Sequence, residues 1–465
     1  MNESLILAEN IANVCYEDIT SHVVEITKRS VLDALGVTLA ASTLGEGCRA
    51  FVDLAIAEGG KKESTIIGFD AKASAMMAAF ANGAMAHALD FEDAHDGARV
   101  HPNAATIPAA LAIAESIGNV SGKEFIAAIA LGSDLVCRLG LALNEDLLQY
   151  GWYMPPILGA FGATAAACRL LHLSTTRIVD AFSLTLCQAT CSAELVHSKH
   201  SVVRSIRDAF SAKAGVLSAL LAQQGVTGFE QPIEGKAGLY SSYARGNYDP
   251  LRLTSEVGKT LEGGNVSFKP YPSCRGTHSY IDGVLEILKT HRLRHSEIEA
   301  IHVVVSPANQ MLCEPLQLRR EPATAIDAKF SIPFVVATTL VHGQVTLDQF
   351  TSQALTDHAV LDLARKVTYK VNPELTGNLA AQGWLHINTK TETISKQVDV
   401  AYGHPTNPMS EAALVSKFMN CARHAAKRVS PEGLNGIVDA VMNLEKARNV
   451  CELTETFEVP KTSKV

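Results

Sequence analysis

The sequence predicts a mainly α-helical protein with a smaller α+β part, and three observations support this fold class. Alanine-rich stretches with apolar residues at helical spacing occupy residues 1–260. Two β-branched stretches of strand length follow at 298–306 and 384–389. The composition, 47% hydrophobic but only 6% aromatic and 19% charged, is typical of a helix-rich globular protein.

The predicted helices differ in character. Segment 19–41 carries an apolar stripe that includes Val24 and Val31, as expected for a packing helix. Segment 73–89 consists mainly of Ala and Met with Gly83 as its only weak residue, which indicates a buried helix with close neighbours. Further helices are predicted at 106–117, 123–143, 158–171, 176–193 and 208–224, and a closing helix capped by Ser410 at 410–426.

A chain of 465 residues is too long for one ordinary core, so we expect two domains. The change in character just past Gly263-Gly264 marks the first boundary. We therefore expect an all-helical domain formed by 1–264 together with 405–465, and an α+β domain at 265–404.

The net charge of −8, with no long Lys/Arg tract, gives no electropositive surface, so nucleic acid is not an expected partner. Apolar stretches are interrupted well before they reach membrane-spanning length, and the N-terminal residues lack a signal-peptide pattern. Ten cysteines without a CxxC pair indicate reduced thiols. We expect a cytoplasmic protein with no membrane association.

The richest chemistry lies between His87 and Pro102, where four carboxylates and three histidines fall within sixteen residues. If the preceding helix persists, Asp90 and Asp93 share a face and repel, which would raise one pKa toward a range useful for acid/base work. His95 and His101 would supply groups that titrate near neutrality. The alternative is that the carboxylates cap helices or face water.

Asp, Glu and His are also metal ligands, so a metal site is a second interpretation of this run. Against it, the sequence has no H-E-x-x-H motif, no pair of histidines at i, i+4 backed by a third ligand, and no calcium loop. We therefore expect no metal.

A second cluster at 263–278 contains Lys269, Arg275 and His278, spaced to meet a carboxylate-bearing ligand. Pro270 and Pro272 stiffen this segment, and a fixed cation stabilises developing enolate charge better than a mobile one. The alternative is a rigid connector between domains.

The most cationic stretch of the helical part lies at 192–208, where Arg204 could pair with a substrate carboxylate through two hydrogen bonds. The alternative is a solvated loop. The cations of this stretch are His197, Lys199, His200, Arg204 and Arg207. Elsewhere we find no nucleophile elbow, no Walker loop and no dinucleotide fingerprint.

Taken together, these residues resemble the MmgE/PrpD family, whose activities include 2-methylcitrate dehydratase, cis-aconitate decarboxylase and iminodisuccinate epimerase. The resemblance covers nearly the whole chain, and its motifs are specific only in combination. They are VLDALG at 31–36, NG at 82–83, HALDFED at 87–93, His101-Pro102, FKPYP at 268–272, DAKFSIP at 327–333 and NPMS at 407–410.

The resemblance implies a large helical domain built from both ends of the chain, a smaller α+β domain, a homodimer and an active site in the cleft between domains. It also implies that Asp90, His101 and Lys269 act around a di- or tricarboxylate without metal or organic cofactor. Asp93 and His95 belong to the same predicted substrate-binding set.

Three positions depart from the decarboxylase pattern of the family. Ala94 stands where a Thr is expected, Met154 stands in the substrate-binding set where a His is expected, and a Lys is expected near Arg204. Loss of an ionisable group at Met154 argues against a simple transfer of the dehydratase or decarboxylase activity.

We therefore predict a cofactor-independent enzyme that abstracts a proton next to a carboxylate, with Lys269 and His101 as candidate bases. Arg204, Arg275 and His278 would hold carboxylates, and Asp90 would orient His101 or tune a neighbour. Epimerisation of an amino-dicarboxylate such as iminodisuccinate is favoured over dehydration or decarboxylation of a citrate-like acid. A carboxylate-binding or scaffold protein without catalysis is the alternative from another class, and the joint presence of the three catalytic candidates weighs against it.

Overall fold

The computed structural model describes residues 2–198 and 201–455, which form two compact units. Unit 1 comprises Met1–Val266 and Glu411–Val465, and unit 2 comprises Ser267–Ser410. The mainly α-helical fold class with a smaller α+β part is confirmed.

Unit 1 is a helical body whose long helices carry the buried Ala-rich stretches expected from the sequence. The helices of its first chain segment are α1 (Glu3–Asn13), α2 (Ser21–Leu44), α3 (Cys48–Ala57), α4 (Ala75–His87), α5 (Pro102–Ile117), α6 (Gly122–Leu141), α7 (Met154–Leu170), α8 (Thr175–Leu186), α9 (Glu194–His197), α10 (Val203–Ile206), α11 (Asp208–Gln223), α12 (Leu239–Ala244) and α13 (Pro250–Thr254). A short antiparallel hairpin, β1 (Ser64–Ile66) and β2 (Ala71–Ala73), interrupts the region predicted to be all-helical.

Unit 2 packs helices against a four-stranded sheet of order β4-β3-β5-β6, in which β3 and β4 are parallel and the other pairs antiparallel. Its core is apolar and includes Tyr280, Ile301 and Phe334. The elements are α14 (His278–Thr290), β3 (Ile298–Val305), α15 (Leu316–Arg320), α16 (Ala325–Lys329), α17 (Ile332–His342), α18 (His358–Arg365), β4 (Val367–Val371), β5 (Gly383–Thr389) and β6 (Thr393–Val398).

The chain then returns to unit 1 through α19 (Glu411–Ala422), α20 (Pro431–Met442) and α21 (Cys451–Glu455). Backbone hydrogen bonds attach this segment to the first one: Val450 N–H donates to the Val120 carbonyl, and Gly122 N–H donates to the Ala447 carbonyl. The two ends of the chain therefore complete one body.

The predicted helix 176–193 is too long, because α8 ends at Leu186. The residues that follow pair with another segment: Tyr153 N–H donates to the Cys191 carbonyl, and Trp152 forms a bridge with Ser192. Within the described part of the chain, every helix falls short of the length or hydropathy needed to cross a bilayer.

Candidate active site

The candidate site forms where α4 ends. The helix stops at His87, and Asp90 adopts a left-handed backbone conformation with φ of 49°, a region in which Asp is more readily accommodated than most residues. The segment 88–100, called the acidic loop below, therefore follows α4 as non-helical chain closed by an antiparallel bridge between His95 and Val100. The condition under which Asp90 and Asp93 would share a helical face is not met, because the helix ends at His87.

Close packing of α4 on α11 brings the loop next to two charged residues. A Cβ added at Gly83 would lie 2.9 Å from the Asp208 carbonyl oxygen and 2.9 Å from the Ala212 Cβ, so only glycine permits this approach. As a result the C-terminus of α4, with His87, lies beside Arg207 and Asp208 at the start of α11. All three side chains are buried.

These residues form a chain of hydrogen bonds that ends at Glu92, beside His101. Nη1 of Arg207 donates to His87 Nε2, and His87 Nδ1 is hydrogen-bonded to Glu92 Oε1. The same Glu92 oxygen lies 2.8 Å from His101 Nδ1, and His101 Nδ1 is also 3.2 Å from the Asp93 carbonyl oxygen.

The chemistry of the partners fixes the protons in this chain. A guanidinium group has donors only, so His87 Nε2 must be the acceptor and its proton must sit on Nδ1, pointing at Glu92. His101 Nδ1 faces two oxygen acceptors and therefore also carries its proton. The Glu92 carboxylate accepts the N–H of His87, and the Asp93 carbonyl oxygen accepts that of His101.

Burial separates the roles of the two histidines. The side chain of His87 is 1% exposed and that of His101 is 17% exposed. Burial, with the positive charge of Arg207 second, lowers the pKa of His87 below its usual range, although Glu92 and Asp208 act in the opposite direction. His87 is thus an interior residue, whereas His101 is the more accessible of the two imidazoles.

The ligand atoms of His87, Asp90, Glu92 and His101 lie within 4.8 Å of one another, a spacing that would also suit a metal ion. We call these four residues the imidazole–carboxylate cluster. A metal would need the lone pair of each histidine nitrogen that faces the cluster. His87 Nδ1 instead presents its proton to Glu92, and His101 Nδ1 faces the Asp93 carbonyl oxygen, so the hydrogen-bond roles favour a proton-transfer network over a metal centre.

Asp93 and His95, both predicted to bind substrate, are buried and engaged in holding the acidic loop. Asp93 Oδ2 accepts from Ser30 Oγ at 2.7 Å and from Asn103 Nδ2 at 2.5 Å, and burial raises its pKa. His95 Nδ1 accepts from the Ala98 N–H at 3.0 Å. A substrate contact of either residue stays a prediction.

A second anchor comes from α19. Lys417 Nζ lies 2.6 Å from Asp33 Oδ1 on α2 and donates to the Phe91 carbonyl oxygen at 2.6 Å, with its charge 3.9 Å from the centre of the Phe91 ring. The lysine thus joins the C-terminal segment to the residue between Asp90 and Glu92. Burial raises the pKa of Asp33 to about 6, against the opposing influence of Lys417.

The other predicted residues of unit 1 lie on α10 and at the start of α7. Arg204 is 7% exposed on α10 and Met154 is 9% exposed at the first position of α7. The neighbouring Tyr153 ring lies 4.9 Å from the Arg207 guanidinium. Lys199 and His200 of the cationic stretch lie outside the described residues.

In unit 2, Lys269 is fully buried. Arg275 donates to the carbonyl oxygens of Tyr402, at 2.9 Å, and Ala401, at 3.4 Å, and its Nη1 is 3.2 Å from His278 Nδ1. His278 Nε2 in turn faces the Ser273 carbonyl oxygen. These contacts give Arg275 and His278 a part in holding unit 2 together, while their predicted contact with a substrate carboxylate stays untested.

Sequence reasoning did not assign roles to His87, Glu92, Arg207 and the Asp33–Lys417 pair. The first two stand in the charged run and could have been found by asking which carboxylate a histidine would meet. The roles of Arg207 and Lys417 could not have been found from the sequence, because the positions of these residues depend on the approach of α11 to α4 and of α19 to α2.

A buried carboxylate between two imidazoles, one of them partly exposed, is typical of enzymes that move protons. The MmgE/PrpD N-terminal domain model matches residues 6–251, and the MmgE/PrpD C-terminal domain model matches residues 271–442. The chain belongs to the MmgE/PrpD family, which confirms the resemblance noted above.

Relatives of similar length carry decarboxylase names. A cis-aconitate decarboxylase-like protein of Aspergillus oryzae is 27% identical over 94% of this chain and 93% of its own length. The cis-aconitate decarboxylase of Aspergillus terreus is 26% identical over 97% and 95%. That of Homo sapiens is 26% identical over 96% and 92%. These relatives are named as decarboxylases and not as epimerases.

Proposed function

We propose that this protein is a cofactor-independent lyase that transfers a proton at a carbon next to a carboxylate of a citrate- or aconitate-like acid. The observation that carries the proposal is the Glu92 carboxylate, which accepts the Nδ1–H of His87 and whose Oε1 lies 2.8 Å from His101 Nδ1. The names of the relatives support the substrate class. They also lead us to prefer a lyase over the epimerase that the sequence alone favoured.

His101 Nε2 is the proton-transferring atom in this proposal. With Nδ1–H held by the Asp93 carbonyl oxygen, the neutral ring can accept a proton at Nε2, and the resulting imidazolium is stabilised by the Glu92 carboxylate, whose Oε1 is 2.8 Å from Nδ1. The ring can therefore serve as base or as acid without a change of position.

Both lyase reactions use this property. In decarboxylation the C–C bond to the departing carboxylate breaks, CO2 leaves, and the electron pair remains on a carbon conjugated with another carboxylate; imidazolium His101 then donates a proton to that carbon. In dehydration neutral His101 removes the carbon-bound proton, and the hydroxyl group leaves as water after protonation by an acid. In both reactions cations over the conjugated carboxylate would stabilise the enolate-like charge.

The remaining predicted residues keep proposed roles. Lys269 is the second candidate base, and Asp90, buried in the imidazole–carboxylate cluster, would assist at the reacting carbon. Arg204 is the first candidate for holding a carboxylate, ahead of Arg275 and His278, whose contacts within unit 2 are described above. We also propose that the protein is cytoplasmic.

A homodimer is part of the proposal. The exposed Phe210 ring, 53% accessible, contacts the rings of Phe51 and Phe80 on α3 and α4, with centroid distances of 6.0 and 5.7 Å. With exposed Leu54 beside Phe51 on α3, these rings form an apolar surface of the kind that subunits bury.

Epimerisation of an amino-dicarboxylate such as iminodisuccinate is the second candidate. Ala94 and Met154 favour it, because both lack the polar groups of the decarboxylase pattern. An epimerase needs proton removal and return but no departing group.

Proton NMR of the purified protein with three acids separates these activities. The proposal predicts formation of a new alkene from cis-aconitate with release of CO2, or from 2-methylcitrate with loss of water. Epimerase activity would instead exchange the α-proton of iminodisuccinate for deuterium without a change in the carbon skeleton. Exchange with iminodisuccinate and no reaction of the other two acids would contradict the lyase proposal.

A further inference from the structure

Arg207 contacts groups on three sides and is 2% exposed. Its Nη1 donates to His87 Nε2 and to the backbone carbonyl oxygen of Arg204. Its Nε lies 3.6 Å from Asp208 Oδ2, and its guanidinium lies over the Tyr153 ring. The side chain is therefore held firmly against the histidine.

We propose that Arg207 is a positioning residue that acts through His87: it imposes the Nδ1–H tautomer on His87 and so supplies Glu92 with an N–H donor that fixes its carboxylate. The inference rests on the proposed function of His101, because Glu92 Oε1 lies 2.8 Å from His101 Nδ1.

The alternative tautomer shows why this matters. With the proton on Nε2, His87 would turn an N–H toward the N–H groups of Arg207 and a lone pair toward the Glu92 carboxylate. Both contacts would be repulsive in an interior where unpaired polar groups are costly. Glu92 would rotate away from His87 and lose its alignment with His101 Nδ1.

The hydrogen-bond chain gives Arg207 an effect on the reaction without any contact with substrate. Each hydrogen bond in the chain has only one possible direction. The guanidinium can only donate, the neutral imidazole donates from one nitrogen and accepts at the other, and the carboxylate only accepts. The donor character of Arg207 is thereby transmitted to the Nδ1 side of His101.

A double-mutant cycle tests this coupling with cis-aconitate as substrate. His87→Asn keeps an N–H donor near the Nδ1 position but removes the Nε2 acceptor, so Arg207 can no longer act through residue 87. Arg207→Met should lower kcat by roughly 10- to 100-fold in the wild-type background and by less than about 3-fold in the H87N background. Arg207→Lys, which keeps a donor, should retain more kcat than Arg207→Met.

Equal losses in both backgrounds would show that Arg207 acts by another route and would overturn the proposal. The matched control is Arg138→Lys, at a second buried arginine of unit 1 that pairs with Asp134. It should lower the melting temperature while kcat per folded molecule stays near wild type.

Nitrogen-15 NMR of histidine-labelled wild-type protein tests the tautomer directly and needs no turnover. The signals that disappear in His87→Asn and His101→Asn identify the two rings. Both should show a protonated Nδ1 and an unprotonated Nε2. An Nε2–H tautomer or an imidazolium at His87 would overturn the proposal, even if the lyase assay succeeds; the expected tautomers without lyase activity would instead contradict the proposed function.

Discussion

The Glu92 side chain contacts both His87 and His101. Its Oε1 atom accepts the Nδ1–H of buried His87 and lies 2.8 Å from His101 Nδ1. A neutral amide at this position could accept a hydrogen bond but would carry no charge to stabilise an imidazolium. In the proposed mechanism, the carboxylate is therefore the group that allows His101 to act as both a base and an acid.

Glu92→Gln is expected to lower kcat by about 10²-fold or more, by analogy with loss of the carboxylate that orients a catalytic histidine. Steady-state kinetics with cis-aconitate measures the loss, and KM should change less than kcat. The control is Glu115→Gln, which alters a carboxylate that binds Thr65 and Thr454 in the interior of unit 1. A wild-type kcat in E92Q would remove Glu92 from the mechanism.

Among the helices, α4, α11 and α19 decide the geometry of the site. Helix α11 reaches α4 because Gly83 has no Cβ, and α19 reaches the acidic loop through Lys417. The pair formed by Lys417 with Asp33 is buried on both sides, with side chains 5% and 1% exposed. Breaking such a pair leaves one charge in the interior, which is strongly destabilising.

Lys417→Met tests this anchor through the pH dependence of stability. Because the folded-state pKa of Asp33 is raised from 3.8 to about 6, its favourable contribution is complete below pH 3.8 and is lost as the pH rises through about 6. Removing Lys417 raises that pKa further. Lys417→Met should therefore lower the free energy of unfolding by about 3–5 kcal/mol at pH 8 and by less at pH 5.

Urea denaturation at the two pH values measures the difference. Lys427→Met is the matched control, because Lys427 pairs at 3.1 Å with Asp70, whose side chain is 86% exposed. Its cost should be about 0–1 kcal/mol and nearly independent of pH. A larger cost of K417M at pH 5 than at pH 8 would contradict the assigned pairing.

The helices of the site were predictable because their signals are local. Segment 208–224 was expected and α11 spans Asp208–Gln223; segment 73–89 was expected and α4 spans Ala75–His87. The end of α4 was placed two residues late, since neither Ala88 nor Leu89 disfavours a helix by itself. The contacts of Lys417 were not predictable, because they join elements far apart in the sequence.

At the scale of the whole molecule, the two ends of the chain build unit 1 together, and the imidazole–carboxylate cluster depends on both. His101 is a candidate because of its place in a run of ionisable residues, which is a local signal, and its role stays a prediction. The type of reaction was harder to predict than the position of His101. The substitutions at Ala94 and Met154 favoured an epimerase, whereas the relatives are named as decarboxylases. Absence of two polar groups does not specify what the remaining groups do.

The central claim is that His101 moves a proton at a carbon next to a carboxylate without a metal ion. Chelator-dialysed wild-type protein and His101→Asn should be compared with cis-aconitate in D2O. The account predicts a product with deuterium at the protonated carbon, formed at full rate by the dialysed wild type and about 10²- to 10⁴-fold more slowly by the variant. Equal rates for the two proteins, or wild-type activity that returns only when a metal is added, would contradict it.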